Sequence, residues 1–517
     1  MCEKIPGMPP GRLDRRGFLA LGIPAWAIGR ATPWPARSAL PGAGDAAGTP
    51  LAELAQTLIR SAREDVAELA AKWIASGADR THILGAAFLA GAREVRPDPV
   101  GNALHGVMAI ESAFLVTENA PPHVLWPIVL WALDDFKASQ ALDTARREWK
   151  LEAPPKARGS QLDAQAELEA ALEQFDPERT DRALVSLLSR GDRAAVLESL
   201  WPFATRSLRD AGHRILHAAQ CERTLGRIDD PSLLVAQDVL RTVAFGLAND
   251  SAGEHTQSFD AARALAPELP STWLDGANAA EKSVEVLAAL RGKSPADSQR
   301  VVVDAFAAGL GPATVWDGLR LYASELMLLR ATRGNLFPVH TVTEMEAFGH
   351  VWQRARKEST LRLVVLQAAA WLASVRDAVV SNNGPYAKGP GIDTLAAGGD
   401  PAGDGTDSGP SSPASKALEQ ALVARDPWAA GGVLARAPEH AQRYVEQLCL
   451  GLARSASESH QTKYLGSILA ESARVDPRWR AHVLVPGLDY LPGAHSAVSP
   501  TYERSLHALQ RAGVLPA

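Results

Sequence analysis

Apolar residues recur along this chain with a period near 3.6, the spacing that lines up one face of an α-helix. Over 51–76, Leu54, Leu58, Ala62, Val66, Leu69 and Trp73 alternate with charged positions. Further helical stretches are predicted at 81–93, 100–116, 124–142 and onward from Asp163, Asp181, Asp192 and Leu208. Start signals repeat as Asp176-Pro177 and Asp426-Pro427. An Asp cap accepts orphan backbone N–H bonds, and proline fits the first helical position. Stretches of period two are nearly missing, and 301–303 is β-branched but runs into a helical pattern. The pattern predicts an all-α fold: an α-solenoid-like array of antiparallel helical hairpins, one large domain with a C-terminal helical extension.

Within it, 210–221 concentrates chemistry. Read as a helix, it sets Leu208, Ala211, Gly212, Ile215, Ala218 and Ala219 on one side. His213, His217 and Cys221 stand at i, i+4 and i+8 on the opposite side, bordered by Asp210, Gln220 and Thr224. That stripe is either a solvated polar face or the lining of a cavity. A second candidate follows Pro338, where His340, Thr343, Glu344, Ala347 and Val351 share a face with His350 at its edge. Imidazoles, a hydroxyl and a carboxylate together bind metals or move protons. His105 shares a face with Met108, Ala109, Ser112 and Val116, which directs it to the interior as a ligand or as a core histidine bonded to a carbonyl. Glu111, Asp134 and Asp135 sit in apolar helices, where burial raises a carboxyl pKa or Lys137 and arginines pair with it. His213, His217, His340 and His350 form the candidate metal set, with Fe, Zn or Cu as the metals that imidazole suits.

Composition narrows the function classes. The 517 residues carry a formal net charge of -6. No basic surplus exists to attract phosphates, so nucleic acid is not an expected partner. Three cysteines make no dense disulfide framework, although Cys221 and Cys449 are free to pair outside the cytoplasm. The chain lacks a phosphate loop, a Gly-x-Ser-x-Gly elbow, a His-Glu-x-x-His zinc motif and a Cys-x-x-Cys-His haem motif. Those gaps argue against a P-loop ATPase, an α/β-hydrolase and a c-type cytochrome. Gly42, Gly44 and Gly48 follow no strand and make no dinucleotide loop.

Domain boundaries follow composition. Residues 383–415 are rich in Gly, Pro, Asp, Ser and Ala and are expected to be a disordered linker. A helical domain is expected over 49–382, and a helical segment over 416–517 that docks back on it. Residues 1–48 read otherwise. Arg15-Arg16-Gly17-Phe18-Leu19 precedes a short apolar run, too short to span a bilayer, and then a small-residue tail. The arrangement resembles a twin-arginine export signal. It implies recognition by the twin-arginine export machinery and a periplasmic or extracellular location. With no second hydrophobic run of spanning length read in the sequence, no membrane span is expected in the mature protein.

Three blocks resemble the questin oxidase family. They are 183–197 running into Gly212-His213-Arg214-Ile215-Leu216-His217, then Val339-His340-Thr341-Val342-Thr343, and Asn102-Ala103-Leu104-His105. The resemblance spans about residues 50–380. It implies an oxidoreductase that uses molecular oxygen and NADPH to open an anthraquinone ring in a Baeyer–Villiger sense. It places His105, His213, His217, His340 and Thr343 at the catalytic positions of a histidine-lined pocket for an aromatic or polyketide-like small molecule. An exported location would separate the chain from cytoplasmic NADPH. Two other readings stay open: a non-catalytic helical scaffold binding a protein or small molecule, and a histidine-ligated, metal-dependent hydrolase using an acid such as Glu344. Clustered histidines favour an enzyme or metal site, and scattered ones favour the scaffold.

Overall fold

A computed structural model describes residues 50–98, 103–146, 149–190, 193–228, 233–329, 337–383, 390–395 and 412–516. The fold is all-α, with an isolated bridge between Ala277 and Leu310 and no strand among the described residues. The export signal expected at 1–48 lies outside them.

The amino-terminal helices are α1 (Leu51–Arg60), α2 (Val66–Ala75), α3 (Arg80–Glu94), α4 (His105–Val116) and α5 (Pro122–Arg146). Helix α1 shows the rule by which they form: Leu51, Leu54, Ala55 and Leu58 are buried along one stripe. Next come α6 (Gln161–Glu173), α7 (Pro177–Leu188), α8 (Arg193–Ala204), α9 (His213–Arg227), α10 (Leu233–Ala248), α11 (Gln257–Leu265) and α12 (Ser283–Leu290). Ser160 and Asp163 close a reciprocal capping box at the start of α6. Asp176 accepts from the Arg179 backbone N–H at 3.0 Å with Pro177 as first helical residue, the start read from sequence. The middle continues with α13 (Pro295–Ala307), α14 (Pro312–Leu328), α15 (Val339–Arg354) and α16 (Glu358–Asn383). The carboxyl-terminal helices are α17 (Pro413–Ala424), α18 (Pro427–Arg436), α19 (Ala441–Ser455), α20 (Ser459–Arg474), α21 (Arg480–Leu484), α22 (Pro486–Tyr490) and α23 (Pro500–Arg511). Asp426 caps α18 through the N–H groups of Trp428 and Ala429.

Sequential hairpins such as α6–α7 occur, but the centre is built differently. There α4, α9, α15 and α20 pack around one another, each from a distant part of the chain. They run in the same direction. Their first turns meet at His105, His213, His340 and His460, and their later turns meet again in a buried ion-pair network. In that network Glu111 accepts from Arg223 Nε at 2.7 Å and from Arg227 at 3.1 Å. Arg223 also donates to Glu346 at 2.5 Å, and Arg474 bridges Glu346 at 2.9 Å to Glu471 at 2.7 Å. Glu471 reaches Arg320 of α14 at 2.6 Å, and Arg320 reaches Asp317 at 3.1 Å.

Two expectations are adjusted. The stretch 383–415 is not wholly a linker: α16 reaches Asn383, and residues 390–395 carry a short turn docked on the body. Ile392 is fully buried there, its N–H donates to Glu325 at 2.9 Å, and Asp393 pairs with Arg291 at 2.6 Å. These anchors supply the order that the local composition lacks. Also, Glu358–Val380 is long and apolar enough to cross a membrane, but 67% of that apolar window is buried inside the protein, where α13 and α15 pack on it. It is the one such helix among the described residues. Cys221 and Cys449 are both buried and unbonded.

Arg223→Met leaves Glu111 and Glu346 buried without their main cation. It should destabilise the protein by roughly 3–5 kcal/mol in urea denaturation. Arg179→Ala, which breaks an exposed pair with Glu167, should cost under about 1 kcal/mol.

Candidate functional site: a four-histidine cluster

Each histidine of the cluster lies in the first turn of its helix. His105 and His213 are the first residues of α4 and α9, and His340 and His460 the second of α15 and α20. Their ligand nitrogens all lie within 4.8 Å of one another. The rings form a closed circuit, with centroids 4.8 Å apart for His105–His213, 4.7 Å for His213–His340, 5.2 Å for His340–His460 and 4.4 Å for His460–His105. His213, His340 and His460 are buried, and His105 forms the partly exposed edge.

Hydrogen bonds at the outer nitrogens set the tautomers. His213 Nδ1 bonds the Asp210 carbonyl, and His340 Nδ1 bonds the Phe337 carbonyl at 2.9 Å. A carbonyl only accepts, so both Nδ1 atoms carry the proton and both Nε2 atoms present a lone pair. His460 Nδ1 lies 2.6 Å from the Glu458 carboxylate, which accepts 2.5 Å away from the Tyr490 hydroxyl. Its Nε2 is likewise bare. His213 Nε2 faces His105 Nε2 at 2.9 Å and the Lys463 ammonium at 3.2 Å. His340 Nε2 is buried with no protein partner.

Backbone strain aims His213. Asp210, Ala211 and Gly212 adopt left-handed φ values of 52°, 55° and 75°. The helix read onward from Leu208 therefore begins at His213, after a kinked turn. Arg214 holds the Asp210 carboxylate at 3.0 Å, which helps offset the strain. A Cβ at Gly212 would stand 3.0 Å from Glu344 Cγ and 3.2 Å from the Trp371 ring. The Trp371 indole N–H donates to the His340 carbonyl at 3.0 Å.

Charge around the cluster is unusual. Lys463 is fully buried one turn along α20, and burial pulls its ammonium down to about 8. Burial, then Lys463, holds His105, His213 and His340 well below the ordinary histidine range. Burial lifts Glu344 to about 8, opposed by Lys463. Thr343 lies outside the ring of imidazoles, and its hydroxyl bonds Glu344 at 2.5 Å.

The structure thus brings together three of the histidines singled out in the sequence and adds His460 and Lys463, which sequence reasoning passed over. The signal was available: Glu458 caps a helix whose second residue is His460 and whose fifth is Lys463. It does not bring in His217 or His350. His217 Nε2 bonds the Thr242 hydroxyl at 3.0 Å, beside Cys221 at 3.6 Å. His350 Nε2 bonds Glu222 at 2.7 Å, and Arg354 holds the same carboxylate. The supposed polar stripe has no solvent side, because α9 is buried from His213 through Leu225.

The class defined so far is an all-α protein with four buried or half-buried imidazoles converging at helix starts. Comparison with protein-family models, with curated proteins and with solved structures found no match.

Two outcomes follow from this geometry. Gly212→Ala should destabilise by at least about 1 kcal/mol, since it meets a left-handed φ and two close neighbours; thermal unfolding reads it. His217 is held neutral, its pKa pushed down to about 3 by burial. The unfolded chain takes up that proton below about 6.5 and the folded chain does not. Stability should therefore fall as pH drops from about 6.5 toward 3, and His217→Gln should flatten the slope of melting temperature against pH.

Proposed function

We propose that this chain is an oxidoreductase in which His105, His213, His340 and His460 hold one first-row transition-metal ion that activates oxygen against a small aromatic substrate. The observation that carries the reading is the tautomer set. Three imidazoles turn Nε2 lone pairs toward one locus while their Nδ1 protons are held by carbonyls or a carboxylate, the outer support typical of metal-ligating histidine; the His213 lone pair faces Lys463, which an ion would have to displace. The buried, partnerless His340 Nε2 is the orphan such an ion would satisfy. Two metal–nitrogen bonds of about 2.1 Å span about 4.2 Å, close to the observed spread. Imidazole donors suit Fe, Cu or Zn, and a redox-active ion would supply oxygen activation.

The residues around the ligands have separate tasks. The orienting bonds to Asp210, Phe337 and Glu458 fix the rings. Lys463 and Glu344 are buried proton carriers beside the locus, each with a pKa near 8. Trp371 lies against the Gly212 turn and holds the His340 carbonyl. The resemblance to questin oxidases supports an aromatic substrate such as a phenolic anthraquinone. It also brings NADPH, which the residues at the cluster give no reason to include; without that reductant the oxygen chemistry balances only when both oxygen atoms enter the substrate. Clustering weighs against the scaffold reading, for which the histidines would be dispersed. The paired arginines at Arg15 and Arg16 support export by the twin-arginine route, which carries folded proteins with their metal inserted.

Plasma mass spectrometry on the purified protein should find about one Fe or Cu per chain; zinc in its place, having no redox chemistry, would keep the histidine site but defeat oxygen activation. His340→Ala and His460→Ala should each lower the metal content by tenfold or more, while His217→Gln retains it. An oxygen electrode should then record uptake with a hydroxyanthraquinone in the wild type and none in His340→Ala. Metal-free wild-type protein after growth with all three metals would defeat the proposal.

A further inference from the structure

We infer that the four-histidine locus binds a small oxyanion, of the phenolate or carboxylate class, with the Lys463 ammonium as its counter-charge. The inference builds on the functional reading above by naming the charge of that site's substrate.

Lys463 is fully buried, and its nearest polar contact is the imidazole lone pair of His213 at 3.2 Å. It forms no ion pair among the described residues. The carboxylates that feel its field have other bonds. Glu458 is held by His460 and Tyr490, Asp135 accepts from Ser459 at 2.6 Å, and one oxygen of Glu344 bonds Thr343. An ammonium has three protons to donate, and only one is met by His213. The other Glu344 oxygen, Oε1, is buried without a partner, as is His340 Nε2.

Helix geometry acts in the same direction. The first turns of α4, α9, α15 and α20 all face this locus. Each helix start carries a partial positive charge and unpaired N–H groups. Four such ends, a buried ammonium and neutral imidazoles make a site short of negative charge. A neutral ligand would leave the ammonium uncompensated, which burial penalises. An oxyanion satisfies it. The body of the ligand would lie toward the partly exposed His105, where the half-buried Phe337 ring stands 5.7 Å from His340.

The test compares 4-nitrophenolate with its neutral analogue 4-nitroanisole, by calorimetry and by the phenolate absorbance, on protein with and without metal. Wild-type protein should bind the phenolate at least tenfold more tightly, and formate should displace it. Lys463→Met, with unchanged circular dichroism, should bind the two ligands alike. Equal binding of both by the wild type, or a folded Lys463→Met that keeps the preference, would overturn the inference. If Lys463→Met does not fold, the wild-type comparison and formate competition decide alone. A preference in protein that takes up no metal would uphold the oxyanion site and remove the metal reading. Metal uptake without the preference would do the reverse.

Discussion

Four helix starts meeting at one point create an electrostatic conflict that the protein must resolve. Each contributes about half a positive charge, and side-by-side parallel helices bring those charges together. The chain answers with residues that carry no charge of their own. His105, His213 and His340 are held neutral by burial, and His213 and His340 turn Nε2 lone pairs toward the centre instead of protons. The largest charged network is kept to the later turns. At a rise of 1.5 Å per residue, Glu111 and Glu346 lie about 9 Å beyond His105 and His340. There the arginines and glutamates can neutralise one another. The network also fixes register: sliding α15 against α9 by one turn would part Glu346 from Arg223 and move His340 away from His213. Buried ion pairs add little net stability but are intolerant of mispairing, and intolerance of that kind is what a four-point site needs.

A parallel arrangement has a topological cost. Neighbouring helices in sequence return antiparallel through short turns, as α6 and α7 do. Helices that run the same way need long crossovers, and here more than 100 residues separate each histidine from the next. Loop-closure entropy grows only slowly with length, so the fold tolerates these excursions, but its central contacts are non-local and should form late. Helix α20 completes both the histidine circuit and the ion network. The carboxyl-terminal segment is therefore part of the site.

That last point explains what the sequence revealed and what it hid. Helical period and Asp-Pro caps at 176–177 and 426–427 gave the all-α class, because both are local signals. His105, His213 and His340 stood out as histidines in helices with an apolar face, though only His340 was read at a helix start. His460 and Lys463 lay in a segment read only as a C-terminal extension, and neither was singled out. Nothing local says that residue 460 faces residue 105. His217 was drawn in by its i, i+4 spacing to His213. Spacing on one helix places two side chains on the same side, but it does not say what each meets. In α9 the first turn meets other helix starts, and the next turn meets Thr242 of α10. The kink at 210–212 was hidden too, since Asp-Ala-Gly fits a helix as well as a left-handed turn.

The site holds two opposing fields, and their ranges decide its chemistry. The four ligand nitrogens lie within 4.8 Å of one another, and the lone pairs of His213, His340 and His460 repel and favour a cation placed among them. The helix ends and Lys463 disfavour that same cation. At bonding distance, about 2 Å for a metal and imidazole nitrogen, the lone pairs dominate, because coordination acts on contact. The helix ends and the ammonium stand farther off and act on whatever completes the coordination. They favour a ligand with negative charge over water. A cation held by neutral imidazoles, with a buried ammonium alongside, is therefore a centre whose charge is balanced only when an anion arrives. That requirement links the metal reading to substrate choice through one physical cause, the convergence of four helix starts on a single locus.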